Sequence, residues 1–463
     1  MTAGLRRGIG PFDATALVVG SMIGSGIFIV SAESARRLGS GGWLLAAWAI
    51  AGALTLIASL SCAELAAMLP KAGGQYVFFR EAYGPLLGFL FGWAMFLVIQ
   101  TGTIAAVAVA FAKFLGVLVP AVSGSPIARV GVLDVSPVQL VALGVVVLLT
   151  ASNATGLKAG TRTQNVFTVA KFAALLALAA AGLLLGGGPG VALRASELFR
   201  AESLSGDRLA GLGLLAALAA AMVGPLFSQS AWNNVTFAGE EVEKPGKTLP
   251  FALLAGCLVV TSLYVVTNVA YLNSLSLSGI QHAPEDRVGT AAASALFGSA
   301  AAGATAAAIM VSTFGCVNGL ILSGARVSFA MARDGLFFKR LAGLNRASVP
   351  ANALWLQAAW AGALVLTGTY SQLLKYVISA DILLYVLLVA AVIVLRRKRP
   401  DWPRPFRAPA FPLLQVVYAV AGILLIALLL VESPTTTWPG YAVLATGVPM
   451  YFLWRRNGSR SET

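Results

Sequence analysis

The stretch GSMIGSG, residues 20–26, interrupts an apolar run that extends from residue 12 to residue 35. It holds three glycines and two serines within seven residues. A regular helix is unfavourable there, because glycine loses much backbone freedom in a helix and serine bonds its own backbone. A helix that follows this run is therefore predicted to break in its middle.

A second interruption, GPLFSQSAWNN at residues 224–234, lies in an apolar run from 210 to 239. Pro225 cannot donate a helical hydrogen bond, and polar side chains follow it. Irregular backbone at membrane depth is stable only where protein or a water-filled cavity satisfies its polar groups. Paired interruptions in two halves of a chain are typical of a transporter's binding site. The alternative is that the glycines only allow helices to pack closely.

Twelve apolar runs bounded by glycine, proline or charged residues divide the chain, and we number them spans 1 to 12. The 463 residues are 58% hydrophobic and 11% charged with a mean hydropathy of +0.84, which excludes a soluble globular protein. The runs are apolar on every face, which excludes alternating membrane strands. They cover residues 12–35, 42–69, 85–119, 138–156, 163–186, 210–239, 250–272, 293–328, 351–369, 373–395, 412–431 and 440–454.

This pattern predicts an all-α polytopic membrane protein with twelve transmembrane helices in a single transporter domain, residues 1–463. The two breaks lie five spans apart, and five is odd. Spans 1–5 (residues 12–186) and spans 6–10 (residues 210–395) must therefore have opposite orientations, as in an inverted repeat. Spans 11 and 12, residues 412–454, are an addition to that repeat.

The distribution of lysine and arginine predicts the orientation of the chain. Of the 32 lysines and arginines, 22 lie in the terminal tails or in or next to the even-numbered gaps, and 7 lie in the odd-numbered gaps. Positive residues collect on the cytoplasmic side. We therefore expect both termini in the cytoplasm and the protein in the plasma (inner) membrane. The net charge of +14 then needs no nucleic-acid partner.

The sequence offers few residues for metal, cofactor or enzyme chemistry. The three cysteines, Cys62, Cys257 and Cys316, lie in apolar stretches, and the single histidine, His282, lies in a polar one. We expect no metal site and no cofactor. A membrane-embedded enzyme would need a nucleophile and a base or a metal cluster, and a receptor or channel would not need paired breaks. A secondary transporter remains the leading interpretation.

Five motifs, in this order along the chain, resemble one known family. They resemble the amino acid, polyamine and organocation superfamily, and within it the L-type amino acid transporter branch and its bacterial serine/threonine exchanger relatives. The resemblance covers nearly the whole chain and implies secondary amino acid transport by alternating access. The motifs are GSMIGSGIF (20–28), PKAGGQYVFFREAYGPLLGFLFGW (70–93), WNNVTFAGEEVEKPGKTLP (232–250), VSTFGCVNGLILSGARVSFAMA (311–332) and the basic, proline-rich loop at 395–412.

The helix breaks predict how an amino acid would bind. Half-helix ends expose unpaired N–H groups at one break end and unpaired carbonyls at the other. The carboxylate is expected on the N–H groups of residues 24–26, and the ammonium on carbonyls around Ser21, Met22 and Phe227. The resemblance implies that Phe227 is an aromatic gate. The expected substrate-binding residues are Ser21, Met22, Ile23, Gly24, Ser25, Gly26, Phe227, Ser228, Ser230, Trp232 and Asn233.

Selectivity is predicted from the side chains around span 6 and from the scarcity of acids. The spans expected to line the site offer one carboxylate at depth, Asp381, which favours neutral substrates. The sequence Ser228-Gln229-Ser230 stands where the family often has glycine after an aromatic residue. This departure favours small or polar amino acids such as serine, threonine or alanine. Cationic amino acids or polyamines are the alternative.

Lys171 lies eight positions into span 5, about 12 Å at about 1.5 Å per residue. Charges at such depth are costly and usually functional. The resemblance implies that this lysine replaces a sodium ion and bridges the break of span 1 to a hydroxyl of span 8, for which Ser312 and Thr313 are available. We therefore expect sodium-independent exchange, with proton-coupled symport as the alternative.

The resemblance also concerns a partner subunit. Animal L-type transporters attach a heavy chain through a cysteine between spans 3 and 4. Residues 120–137 contain no cysteine. No disulfide-linked heavy chain is therefore expected.

Overall fold

The computed structural model of the chain describes residues 5, 7–123, 126–130, 133–187, 198–202, 206–298, 301–367, 370–432 and 434–459. These residues form a bundle of helices, and the predicted all-α membrane fold is confirmed. Strand structure within the described ranges is limited to a short antiparallel hairpin between spans 3 and 4, formed by Ala128–Val130 and Leu133–Val135.

Each of the twelve predicted spans corresponds to one helix or to a broken helix. Nine of the described helices are long and apolar enough to cross a membrane, and the remaining three predicted spans are the helices Ala351–Thr367, Tyr370–Lys398 and Pro434–Ser459. In chain order the helices of spans 1 to 12 are Pro11–Met22 with Gly26–Ile29, Gly41–Met68, Pro85–Ala94 continued by Met95–Ile99 and Gln100–Leu118, Pro137–Thr155, Leu157–Leu185, Gly211–Ser228 with Asn234–Phe237, Pro245–Ser274, Ala301–Arg333, Ala351–Thr367, Tyr370–Lys398, Leu413–Glu432 and Pro434–Ser459.

Shorter helices connect several of the spans. Ser31–Leu38 follows span 1, and Gln75–Tyr83 lies between spans 2 and 3. The predicted span 8 began too early, at residue 293. A separate helix, Val288–Phe297, ends at Gly298, whose positive φ of 80° does not continue a helix. Span 8 itself runs Ala301–Arg333.

Span 1 breaks where glycine and serine predicted it. Its first helix begins with Pro11 at the first helical position, which suits proline because no N–H bond is needed there. That helix ends at Met22, and Ile23 has extended backbone with φ −75° and ψ 91°. The helix resumes at Gly26. The backbone of residues 23–25 therefore makes no continuous helical ladder.

Span 6 breaks later than Pro225. The helix continues through Pro225 to Ser228, Ala231 has a positive φ of 64°, and a short helix resumes at Asn234. Proline removes the hydrogen bond to the carbonyl four residues earlier. The Ser34 hydroxyl donates to that carbonyl, Ala221 O, at 2.8 Å. The replacement bond explains why the helix passes the proline.

Candidate functional site

The two breaks contact each other directly. A Cβ atom on Gly26 would lie 2.1 Å from Ser228 Oγ and 2.8 Å from Ser228 Cβ. Real atoms of this kind do not approach so closely, so the contact between spans 1 and 6 requires glycine at position 26. On its other side, Ser228 Oγ donates to the Gly224 carbonyl at 2.9 Å.

A small cavity lies between the two breaks. Eight of the eleven predicted substrate-binding residues line it. The prediction missed four other lining residues, Thr103, Val107, Ala231 and Cys316. Thr103 and Val107 are four positions apart on span 3 and so share one face of that helix, but nothing in their residue types marks that face as a site. The eight predicted residues are Ser21, Met22, Gly24, Ser25, Gly26, Phe227, Ser228 and Ser230.

The carbonyls at the end of the first half of span 1 already have protein partners. The Cys316 thiol donates to the Ser21 carbonyl at 3.1 Å, and the Tyr264 hydroxyl donates to the Met22 carbonyl at 2.9 Å. A carbonyl oxygen has two lone pairs. Each of these carbonyls can therefore accept one further bond from an ammonium group in the cavity.

Lys171 lies against the break of span 1. Its ammonium donates to the Gly20 carbonyl, to the Ile23 carbonyl at 2.8 Å and to the backbone carbonyl of Ser312 at 3.4 Å. The side chain is 1% exposed. Its helix begins at Leu157, six residues earlier than expected, so Lys171 lies about 21 Å along the helix rather than about 12 Å.

The two hydroxyls predicted to meet Lys171 have different positions. Ser312 Oγ donates to the Ile23 carbonyl at 3.3 Å and to the Gly24 carbonyl at 3.4 Å, so Ser312 belongs to the cluster. Thr313 Oγ1 donates to carbonyls of its own helix, at Ile309 and Met310. Threonine in a helix often bonds back to the preceding turn, and Thr313 is not brought to the lysine in this structure.

Ile23 contributes to this cluster through its carbonyl rather than to the cavity. Buried amide side chains near this cluster form a hydrogen-bonded network. Asn318 Nδ2 donates to Gln164 Oε1 at 3.1 Å and its Oδ1 accepts from Asn153 at 2.8 Å. Thr168 Oγ1 donates to the Ala16 carbonyl at 3.1 Å. The amides join spans 4, 5 and 8 to one another, and Thr168 joins span 5 to span 1. None of these residues is among those predicted from the sequence.

Trp232 and Asn233 lie beyond Phe227, away from the cavity between the breaks. The Trp232 ring stacks on the Tyr385 ring with centroids 5.3 Å apart. Asn233 Nδ2 donates to Gln75 Oε1 at 2.8 Å. Both residues therefore connect span 6 to other elements.

The three polar residues after Phe227 do not share one environment. Ser230 lines the cavity, and its hydroxyl donates to the Phe227 carbonyl at 2.8 Å. Gln229 points away from the cavity: its Nε2 donates to the Trp48 carbonyl at 3.2 Å, and its Oε1 accepts from Thr261 at 2.9 Å. The added polarity of the cavity therefore comes from the serines.

A cluster of ion pairs closes one end of the bundle. We call this the basic end; it comprises the connections at residues 70–84, 238–245, 334–350 and 399–412. Arg326 and Glu241 form a two-bond pair at 3.0 and 2.9 Å, with side chains 1% and 2% exposed. Next to it, Arg333 pairs with Glu240 at 3.0 Å nearer the surface. This arrangement places the loop after span 6 against span 8.

The basic end also holds a phenol and a carboxylate. Tyr76 OH donates to Asp334 Oδ2 at 2.6 Å, and Arg80 pairs with the same carboxylate. Burial raises the pKa of the Tyr76 phenol, so the hydroxyl stays protonated and donates at neutral pH. The contact connects the helix Gln75–Tyr83 to the end of span 8.

Comparison with known proteins gives one family over nearly the whole chain. The family model described as "Amino acid permease" matches residues 9–454. The chain is 31% identical over 457 residues to the human "Large neutral amino acids transporter small subunit 2", covering 97% of this chain and 80% of that protein. It is 29% identical over 464 residues to the mouse "Asc-type amino acid transporter 1", covering 97% and 82%.

A bacterial relative is covered along almost its full length. The "Serine/threonine exchanger SteT" of Bacillus subtilis (strain 168) is 30% identical over 454 residues, and 97% of each chain is covered. The helical membrane architecture, the paired breaks and these matches agree. The chain belongs to the amino acid permease family, and it is a membrane-spanning amino acid transporter rather than an enzyme.

Proposed function

We propose that this protein exchanges small neutral or polar L-amino acids across the membrane without sodium, by alternating access around the cavity between the breaks of spans 1 and 6. The observation that carries the proposal is the ammonium of Lys171 on the Gly20 and Ile23 carbonyls. This ammonium is a fixed positive charge at the break of span 1, next to the substrate cavity.

The cavity offers complementary groups for a zwitterion. The second half of span 1 begins at Gly26 with Ser25 as its preceding cap residue, and both line the cavity. A helix start favours a carboxylate. The Ser21 and Met22 carbonyls lie at the end of the first half-helix, where the dipole favours an ammonium group. An α-amino acid would therefore have one charge on each half of the broken helix.

The size and polarity of the cavity support small substrates. Ser228 and Ser230 of span 6 and Thr103 of span 3 line it together with Phe227, so the lining combines three hydroxyl side chains with one aromatic ring. The similar proteins include a serine/threonine exchanger and a transporter of large neutral amino acids. We expect serine, threonine and alanine to be the preferred substrates.

Lys171 supports sodium independence. A sodium ion at the same carbonyls would lie within a few ångströms of an ammonium, and like charges at that distance repel strongly in a medium of low dielectric constant. The resident charge already satisfies the carbonyls of Gly20 and Ile23. If Lys171 keeps its proton throughout the transport cycle, no proton is moved with the substrate, and transport is expected to be an exchange of amino acids. Proton symport is the second candidate, because a buried ammonium can release its proton.

The arrangement of the spans supports an inverted repeat of spans 1–5 and 6–10, residues 12–186 and 210–395, with residues 412–454 as an addition. Span 2 packs against span 7, and span 3 packs against span 8. These are equivalent spans of the two halves, as a pseudo-two-fold axis requires. In the proposed cycle, the ion pairs of the basic end open when the cavity faces the cytoplasm.

The same charge distribution supports an orientation in the plasma (inner) membrane with both termini in the cytoplasm. Ile9 pairs with Val242, and Trp454 stacks on Phe337, so both chain ends lie at the basic end. We also propose that the single chain suffices, without a disulfide-linked heavy chain. Its three cysteines are buried, where they cannot reach a partner.

Counterflow with the purified single chain tests the proposal. Proteoliposomes loaded with one unlabelled amino acid from a panel are diluted into a trace of the labelled compound. Serine, threonine and alanine should give the largest accumulation, with tryptophan at the level of protein-free vesicles. Accumulation of tryptophan above serine would contradict the assigned substrate class, and activity only after adding a second protein would contradict the single-chain proposal.

A further inference from the structure

A second cavity adjoins the substrate cavity on the far side of Phe227. It lies between spans 2, 6, 10 and 11. Phe227 and Ser230 line both cavities, so the two share a wall. A substrate whose α-amino and carboxyl groups lie at the breaks could direct its side chain towards this second space.

The second cavity contains a carboxylate at membrane depth. Asp381 lines it, about 16 Å along the helix Tyr370–Lys398 at about 1.5 Å per residue. Tyr385, one turn further on, lines the same cavity, and its hydroxyl donates to Asn233 Oδ1 at 3.4 Å. The residues described as lining the cavity include no lysine or arginine. A carboxylate at such depth needs a counter-charge or a proton.

Aromatic rings line the same cavity as the carboxylate. Trp232 and Tyr385 form a stacked pair, and Tyr418 of span 11 lines the same cavity. Ring faces attract an organic cation, and the attraction is largest where water is excluded. A carboxylate beside three ring systems is the chemistry that recognises an alkylammonium group.

We propose that this cavity is a subsite for an alkylammonium group, so that short diamino acids are accepted in addition to neutral amino acids, with Asp381 as the counter-charge. The inference rests on the proposed function, since the α-amino and carboxyl groups would bind at the breaks. The main site contributes no carboxylate for a second ammonium, and the second cavity does.

Matched pairs of ligands test this subsite in the wild-type protein. L-2,4-diaminobutyrate and L-2-aminobutyrate differ by one terminal ammonium, and each competes in counterflow of labelled serine at pH 7. The diamino compound should compete at least as well as its neutral partner. Competition about tenfold weaker, or about 1.4 kcal/mol, would overturn the subsite. L-ornithine against L-norvaline extends the comparison by one methylene.

The isosteric variant Asp381→Asn identifies the counter-charge. It should weaken competition by diaminobutyrate about tenfold and leave aminobutyrate within about twofold. Glu285→Gln is the matched control, because it removes one negative charge from an exposed outer connection and should keep the wild-type ratio. Equal loss for both ligands in D381N would overturn the assignment of Asp381.

Failure of the subsite and failure of the proposed function give different results. If no neutral amino acid shows counterflow in the wild-type protein, the proposed function fails. If neutral amino acids exchange and diaminobutyrate does not compete, only the subsite fails. Should D381N not fold, the two wild-type ligand pairs still decide, because they need no substitution.

Discussion

Lys171 satisfies carbonyls that the broken helix leaves without helical partners. Its ammonium donates to Gly20 and Ile23, and Ser312 adds a hydroxyl to the Ile23 carbonyl. A buried carbonyl without a partner costs about 1–3 kcal/mol. The lysine therefore stabilises an irregular backbone that lipid could not stabilise, and it does so with a charge beside the substrate.

Lys171→Met tests this role, because methionine keeps the length of the side chain and removes the charge. We expect serine counterflow to fall at least about tenfold, since the Gly20 carbonyl loses its donor, at about 1–3 kcal/mol, and the Ile23 carbonyl keeps only the Ser312 hydroxyl. Lys113→Met is the matched control: Lys113 lies in span 3 with an exposed side chain and should retain wild-type exchange. Equal activity of the two variants would contradict the role given to Lys171.

Gly26→Ala tests the contact between the breaks. A Cβ atom there would overlap Ser228 Oγ, so the two half-helices must separate and counterflow should be lost while the protein stays in the membrane. The double variant Gly26→Ala with Ser228→Gly removes the overlapping hydroxymethyl group. It should recover part of the exchange, measured as initial rate per amount of inserted protein. A fully active single variant would show that the close approach is not needed.

At the scale of elements, the breaks are stabilised from outside their own helices. The helix of span 6 continues through Pro225, which cannot donate to the Ala221 carbonyl. Ser34, on the helix after span 1, donates its hydroxyl to that carbonyl instead. The sequence predicted that a break lies in this region, from proline and the polar cluster. It could not place the break after Ser228, because the replacement donor lies 187 positions away along the chain.

The connection after span 6 is held by two neighbouring ion pairs that differ in burial. The side chains of Glu241 and Arg326 are 2% and 1% exposed, whereas those of Glu240 and Arg333 are 28% and 50% exposed. Removing one partner of a buried pair costs about 3–5 kcal/mol because the other charge stays buried. An exposed pair contributes about 0–1 kcal/mol.

Glu241→Gln should therefore destabilise the closed basic end strongly, and Glu240→Gln should change it little. The midpoint of thermal unfolding in detergent is the measurement. We expect E241Q clearly below the wild type and E240Q close to it, because only the first leaves a buried guanidinium uncompensated, whereas Arg333 is half-exposed to solvent. Equal midpoints for the two variants would show that the buried pair does not hold the basic end closed.

For the whole molecule, the apolar runs were sufficient to predict the architecture. A membrane span must match the bilayer thickness and must hydrogen-bond its own backbone groups, and few arrangements of helices meet both conditions. Eight predicted residues line the cavity between the breaks. They could be predicted because glycine, serine and proline near a break indicate it in the local sequence. Trp232 and Asn233 were placed in the same site because they follow the break closely. The positive φ at Ala231 turns the chain away before them.

Of the lining residues that the sequence did not predict, Ala231 lies within the second break, and the others lie far from both breaks along the chain. Thr103 and Cys316 reach the cavity only through the packing of spans 3 and 8 around span 1. Nothing in the local sequence distinguishes Gln164 and Asn318 from other polar residues, and their hydrogen bond forms only in the folded chain. Contacts of this kind depend on the tertiary arrangement, and no local pattern encodes them.

With Lys171 in place of a cation, transport should be an exchange that is independent of sodium. Uptake of labelled serine into proteoliposomes that are empty or loaded with serine, with sodium or choline outside, measures both properties at once. We expect equal uptake in sodium and choline, and uptake only into loaded vesicles. Uptake into empty vesicles that a protonophore abolishes would replace exchange by proton symport. A several-fold stimulation by sodium would contradict sodium independence itself.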